Sequence, residues 1–152
     1  MTAGVSVGRA RTVSECASVR GLVEAHARFE LSATVLPADW AERMGELVAS
    51  ARLDLFVARI AGNPIGYATM TRDVSTWSAG EYAHLDCLFV TDGQRDAGIG
   101  LLLIDAVRGH ARSLGIRELQ WQTPPWNEGA IRFYTRLGAR QETKERFALS
   151  LM

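Results

Sequence analysis

Lysine is almost missing from this chain. Of its 17 lysine and arginine residues, only Lys144 is lysine. A Walker-type phosphate loop needs Gly-Lys-Ser/Thr, and no glycine here is followed by lysine, so that class of nucleotide hydrolase is excluded. An excess of charge is missing too: 17 acidic residues leave a formal net charge of +0 at pH 7. No long-range field therefore recruits nucleic acid or an anionic membrane surface. Cysteine is scarce. Cys16 and Cys87 lie too far apart in sequence for a zinc pattern or a disulfide framework, so no metal site is expected and a reducing cytoplasm is. No apolar run approaches the roughly 18 residues of a membrane span. The N-terminus lacks the charged-then-apolar layout of a signal peptide. Repeats and low-complexity linkers are absent, and residues 1–152 read as a single domain.

What is present is an ordinary core-forming chain, 47% apolar with mean hydropathy −0.01. Thr12 and Glu15 have capping-box spacing and open a helix expected to run to about Arg28. Pro37-Ala38-Asp39 opens a second helix to about Ser50. Two β-rich runs then flank Ala61-Gly62-Asn63-Pro64, a hairpin signature. "EYAHLDCLFV" (81–90) reads as a strand, and "GIGLLLIDAVRGHARSLG" as an amphipathic helix stopped by Gly115. "RELQWQT" (117–123) is a strand, "NEGAIRFYTRLG" a short helix, and "KERFALSLM" (144–152) a closing strand. Interleaved strands and helices imply an α/β (α+β) domain: a mixed, largely antiparallel central sheet flanked by helices.

The chemistry concentrates at the junction after "CLFV". Gly98-Ile99-Gly100 is followed by Leu103 where a dinucleotide loop would carry its third glycine, so that reading fails. Arg95-x-x-Gly98-x-Gly100 remains, at a strand-to-helix turn. Glycines without Cβ let a phosphate approach the backbone, and the first amides of the helix are unpaired donors at its positive end. Gln94 and Arg95 can add side-chain donors. A glycine-rich helix start that serves only the turn is the other reading of the same residues.

Arg95-x-x-Gly98-x-Gly100 after a strand, then Asn127, then Phe133-Tyr134 before Leu137-Gly138-Ala139, resembles the GCN5-related N-acetyltransferase superfamily. "WNEGAIRFYTRLGA" (126–139) looks like its diamine acetyltransferase branch, as do "AHARFE", "STW" and "HLDCLFV". The resemblance runs from about Val5 to Leu149 and is strongest from Leu85 to Ala139. It implies acetyl-CoA as cosubstrate, with the pyrophosphate on Gln94, Arg95, Ala97, Gly98, Ile99, Gly100 and Leu101. The pantetheine arm would pair with the backbone of Leu88, Phe89 and Val90, the Leu88 N–H polarising the thioester carbonyl. Asn127 would cap its helix and touch the arm near the thiol. Tyr134, in the "FY" pair, would be the general acid for the departing thiolate.

Asp86 is the implied base for the protonated amine, since the diamine branch has a glutamate four residues before the strand's closing valine; an aspartate that binds the substrate ammonium without moving a proton is the alternative. The sequence departs from the branch there: aspartate is one methylene shorter, and the next acid is replaced by Cys87. Asp96 also stands where relatives often carry glycine. Strict alternation would put Asp86, Leu88 and Val90 on one face and Leu85, Cys87 and Phe89 on the other, so that Asp86 and Cys87 could not share a cleft. A covalent acetyl-Cys87 route would need an activating base beside the thiol; a buried inert thiol is the simpler reading. Glu30, Asp73, Glu81 and Glu128 are acids that could line an amine pocket, and Trp77, Tyr82 and Trp126 could wall it. His26 and His110 read as plain helix residues.

The expected function is transfer of acetyl from acetyl-CoA to a primary amine of a small molecule, a polyamine or amino-acid-like amine, by direct attack in a ternary complex. Antibiotic or protein N-terminal acetylation is the alternative within the class, and a non-catalytic CoA-sensing module the alternative outside it. The diamine branch implies a homodimer.

Overall fold

The computed structural model describes residues 4–95 and 97–152; Met1–Ala3 and Asp96, with the departure noted at it, lie outside the described residues. The chain divides into two compact units, Met1–Trp121 and Gln122–Met152. The first holds β1 (Val5–Arg9), α1 (Val13–Ala17), α2 (Arg20–Phe29), α3 (Trp40–Ala49), β2 (Asp54–Ile60), β3 (Asn63–Ser75), β4 (Gly80–Val90), α4 (Ile99–Ser113) and β5 (Leu119–Gln120). The second holds α5 (Glu128–Arg136).

One five-stranded sheet runs in the order β1-β2-β3-β4-β5. β1 to β4 pair antiparallel, and β5 joins β4 in parallel. The mixed, largely antiparallel sheet flanked by helices is thus borne out. Helices cover both faces of the sheet, α4 on one and α2 and α3 on the other. Leu55, Val57, Tyr67 and Phe89 join Cys16, Val19, Leu22 and Met44 in one cluster. The intervening Phe56 meets His110 of α4, with ring centroids 5.9 Å apart. A strand covered on both faces has no polar side to show, which is why β2 and β3 read as continuous apolar runs.

Several elements differ from expectation. The first helix breaks at Ser18–Val19 into α1 and α2. Its capping box is real: Thr12 Oγ1 accepts the Glu15 N–H at 3.1 Å, while Glu15 accepts from the Arg11 N–H at 3.2 Å. β1 was not expected; at five residues, its alternation of Val5 and Val7 with Ser6 and Gly8 is short. Pro64 belongs to β3 rather than to the hairpin turn, which Ala61 and Gly62 make with positive φ (49° and 81°), the geometry two-residue hairpins require. β5 forms over two residues of the expected seven. The closing strand does not form: 140–152 has no regular structure and is exposed throughout.

His110 is more than a helix-face residue. Its Nε2 lies 3.1 Å from Asp54 Oδ2, and Arg9 Nη1 lies 3.3 Å from Asp54 Oδ1, which ties α4 to β1 and β2. At the other end of α4, Gly66 faces Val90 across the β3–β4 ladder. A Cβ there would sit 3.0 Å from the Phe89 carbonyl oxygen and 3.3 Å from Leu103 Cδ1. The leucine can shift, but the carbonyl is fixed by the sheet. Gly66→Ala would gain about 0.4–1 kcal/mol from a less flexible unfolded chain, against about 1–3 kcal/mol for overpacking. We expect a net loss of stability in urea unfolding; an equal or raised midpoint would show that β3 and β4 are not this close at the site.

Candidate active site

β4 is eleven residues long, but β5 pairs with it only at Ala83 and His84. Beyond His84 the strands part, and among the described residues no strand neighbours Leu85–Val90 on that side. Which amides face the gap follows from the hydrogen bonds at either end. The Ala83 N–H donates to Glu118 O of the segment leading into β5, at 2.9 Å, and the Thr91 N–H donates to Ile65 O beside β3, also at 2.9 Å. Amides alternate sides along a strand. Counting back from Thr91, Phe89 faces β3 while Val90 and Leu88 face the gap.

A regular strand could not satisfy both ends, since Ala83 and Thr91 are an even number of residues apart yet point opposite ways. The extra residue is Asp86. Thr69 pairs with Cys87 and Met70 with Leu85, so two steps on β4 meet one on β3. Cross-strand partners share a face, so Leu85 and Cys87 lie on opposite faces. The strict alternation expected from the sequence is corrected here. Asp86 sits exposed in the bulge and Cys87 is half-buried beside it, its Sγ 3.8 Å from Asp86 Oδ2. Burial pushes the Cys87 thiol up to about 11, and the Asp86 carboxylate pushes the same way. The thiol is therefore a donor at neutral pH.

Thr91–Gln94 forms a turn closed by the Gln94 N–H to Thr91 O, at 3.1 Å, and Gln94 is half-buried. Gly98 precedes α4 with φ 79°, a left-handed conformation that glycine adopts without a Cβ penalty. No side chain caps it, and the first bond of the helix is from the Leu102 N–H to Gly98 O, at 3.1 Å. The amides of Ile99, Gly100 and Leu101 therefore project ahead of the helix. The Ile99 side chain is buried and anchors that first turn in the core. Ala97 is half-buried just before it.

Arg95 does something the sequence did not reveal. Its Nε donates to Val90 O at 3.0 Å, and Nη1 pairs with Asp92 at 3.2 Å. Its guanidinium carbon lies 4.4 Å from the centre of the Phe29 ring and 5.3 Å from that of Phe89. The side chain thus fastens the loop to β4 and α2, contributing about 0.5–2 kcal/mol through the aromatic contacts. Below it, His26 stacks on Phe89 at 5.0 Å, and its Nδ1 lies 2.6 Å from the Tyr67 hydroxyl. Burial pushes the Tyr67 phenol far up, so it stays a donor. On its other side, His26 Nε2 lies 2.9 Å from Glu30 Oε2. His26, expected as a plain helix residue, is the buried centre of a four-residue support. Only side-chain geometry reveals it.

The acids considered for an amine pocket are mostly engaged. His26 holds Glu30, the Tyr82 hydroxyl and the Val74 N–H hold Asp73, and Arg72 lies 3.9 Å from Glu81. Trp77 is exposed in the turn between β3 and β4. In the second unit, Asn127 Oδ1 accepts the Ala130 N–H at 3.3 Å and caps α5, the local role read from the sequence. Glu128 is exposed in the first turn of that helix, and Trp126 is exposed just before it. Tyr134 is half-buried on α5, its ring centre 5.4 Å from that of Phe133. Among the described residues no three histidine, cysteine or acidic side chains gather to hold a metal, and no helix is long and apolar enough to cross a membrane.

Known proteins are similar to this chain. A D-amino-acid N-acetyltransferase of Saccharomyces cerevisiae is 30% identical over 81 residues, 53% of this chain and 50% of its own. A thialysine N-epsilon-acetyltransferase of Caenorhabditis elegans is 30% identical over 94 residues, 62% of this chain and 58% of its own. The chain thus spans little more than half the length of these curated relatives. A solved aminoglycoside N-acetyltransferase in complex with CoA has the same fold, with a TM-score of 0.81 at 22% identity, covering 97% of this chain and 95% of that one. The model of the Acetyltransferase (GNAT) family matches residues 22–139, from α2 through the parting strands and the uncapped helix to the end of α5. With that much of it matched, the chain belongs to the GNAT acetyltransferase family.

Proposed function

We propose that the chain is an acetyl-CoA-dependent N-acetyltransferase of small-molecule primary amines, with an amino-acid-like or polyamine-like amine as acceptor. The observation that carries this reading is the gap along β4, where the Leu88 and Val90 amides turn outward and lead toward the uncapped start of α4. An extended arm bearing amides can hydrogen-bond along that edge as a further strand does. A diphosphate at its end suits the amides of Gly98, Ile99, Gly100 and Leu101. The donor set therefore fits acetyl-CoA, which supplies an activated acetyl thioester when bound.

The chain's own residues then divide the work. The Leu88 N–H donates to the thioester oxygen as negative charge develops there. Holding both reactants in line is worth about 7 kcal/mol or more in well-oriented cases. An alkylammonium has a pKa of roughly 10, so the acceptor must lose a proton before its nitrogen forms the new C–N bond. Asp86, exposed at the bulge, accepts that proton directly or through water. Tyr134 returns one to the thiolate released when the C–S bond breaks. Asn127 holds the start of α5 and contacts the arm near the thiol. Both compact units act as one domain, and the working form is a homodimer, as the diamine branch implies. The two free thiols suit a reducing compartment such as the cytoplasm.

The chosen acceptors follow the relatives, whose names are those of amino-acid and thialysine acetyltransferases. Thiol release from acetyl-CoA, assayed across amino acids, polyamines, aminoglycosides and peptides, tests the reading. Turnover should be highest with a small diamine or an amino-acid amine. Tight CoA binding without release for any acceptor would support the sensing alternative instead. Tyr134→Phe should lower kcat by about 10²–10⁴-fold while acetyl-CoA affinity in calorimetry stays near that of the parent. An equal loss of both would make Tyr134 a packing residue.

A covalent route through Cys87 is disfavoured by the same geometry. A thiol raised from 9.0 to about 11 has about one hundredth the thiolate of an unperturbed cysteine at neutral pH. Iodoacetamide labelling of Cys87, followed by peptide mass spectrometry, should stay slow through pH 9 and accelerate only toward pH 11. Cys87→Ala should keep turnover; its abolition, together with fast labelling at pH 7, would restore the thiol as nucleophile.

A further inference from the structure

Val90 ends the free side of β4 with its donor open and its acceptor closed. In a strand, the N–H and C=O of one residue point to the same neighbour. The Val90 N–H faces the gap, so the Val90 carbonyl faces it too. That carbonyl already accepts from Arg95 Nε, at 3.0 Å. Other groups hold the guanidinium there: Asp92 lies 3.2 Å from Nη1, and the Phe29 and Phe89 ring centres lie 4.4 and 5.3 Å from the guanidinium carbon. Arg95 thus donates where a neighbouring strand would place its own N–H. Of the groups that Leu88 and Val90 turn to the gap, both N–H donors and the Leu88 carbonyl remain.

We propose that Arg95 is a positioning residue that ends the ladder: it keeps the Val90 carbonyl when the carrier binds, so that pairing with the arm starts at the Val90 N–H and the thioester falls at Leu88. This role rests on the acetyl-CoA reading of the gap and goes beyond it, because it takes the Arg95 side chain away from the diphosphate, the partner its charge suggests. Pairing along a strand edge repeats every two residues, about 6.6 Å. A slip of one repeat toward the glycine loop would carry the thioester from Leu88 to Val90 and away from Asp86. The arm N–H that donates to the Leu88 carbonyl would then need the Val90 carbonyl, which Arg95 occupies. Departure of Arg95 is disfavoured as well. An arm over the gap shuts water out, and the Val90 carbonyl would be left as a buried acceptor without a partner. The planar guanidinium donates through Nε while its face lies on a ring, which a lysine ammonium cannot do. The amides of Ile99, Gly100 and Leu101 are donors to an anion without it.

The test follows the Arg95 Nε–H by nitrogen-15 NMR in the full chain, free and saturated with CoA, with Arg95→Lys assigning the signal by its loss. Slow exchange with solvent in both states is expected. Calorimetry on the same sample separates the two readings. No heat with CoA would sink the acetyl-CoA reading itself, whereas binding accompanied by a fast-exchanging Nε–H would overturn the end-stop alone. Kinetics give a second, independent arm. Arg95→Lys keeps the charge but lacks Nε, and should lower kcat by about tenfold to 10²-fold through misplacement of the thioester, while the KM for acetyl-CoA holds. A raised KM with parental kcat would make Arg95 a diphosphate ligand, and parental values of both would leave it no role in register. S-acetylpantetheine carries the arm without the diphosphate. Its kcat/KM should fall in Arg95→Lys by the same factor as that of acetyl-CoA; a loss confined to acetyl-CoA would return the side chain to the phosphates. The Nε–H readout needs no acceptor amine, so it stands whichever amine is acetylated.

Discussion

Asp86 is one residue more than the β3–β4 ladder needs, and the arrangement of the site follows from accommodating it there. In a regular strand the Ala83 and Thr91 amides would face the same neighbour. The bulge lets Ala83 bind toward β5 and Thr91 toward β3, and so turns the Leu88 and Val90 amides to the side where β5 has fallen away. Two donors then face a gap rather than a strand. Buried donors without partners are costly, so this edge keeps its stability only if water or a ligand reaches it. The same displacement that exposes the amides also carries the Asp86 carboxylate to the surface beside them. Ladder, donors and acid are one feature.

A donor edge is useful only if its neighbours hold still, and the residues beneath it form a continuous stack. Glu30 orients His26, His26 stacks on Phe89 and hydrogen-bonds the Tyr67 hydroxyl, and Arg95 lies over Phe29 and Phe89 while donating to Val90 O. Each contact is modest. Together they join α2, β3, the end of β4 and the glycine loop into one body. Arginine in the loop was read from the sequence as an added phosphate donor. The structure shows its side chain working as a clamp, bound to Val90 O and Asp92 and lying over two aromatic rings. Lysine would not stack this way, since it lacks the planar guanidinium.

Much of this was legible in residue order, for identifiable reasons. The glycine-rich start of α4, the Thr12 cap and the Gly115 and Gly138 stops are local events, fixed by the residues that make them. Strand β4 was legible from its apolar run. What could not be read is what depends on a partner far away in sequence. The Asp86 bulge exists only in the register with Thr69 and Met70, so alternation along β4 alone gave the wrong faces for Leu85 and Cys87. β1 has only five residues, too short an alternation to stand out, and it is held as a strand by pairing with β2. His26 is an ordinary helix residue until Tyr67 and Phe89 are brought beneath it. The shortened β5 and the unformed closing strand belong to the same class, patterns that no partner in the single copy completes.

The departures from the diamine branch also make sense as a set once the bulge is known. A glutamate would reach further into solvent than Asp86 does, and a second acid at position 87 would stand within a few ångströms of it on a half-buried wall. Two carboxylates so placed repel, and one takes up a proton. Cys87 removes that repulsion. Its thiol remains protonated at neutral pH and donates toward the Asp86 carboxylate, 3.8 Å away. One short acid with a neutral donor behind it differs from a coupled carboxylate pair, whose two members titrate together. The absence of an acid at position 87 therefore leaves the Asp86 carboxylate alone at the bulge, with a neutral thiol beside it.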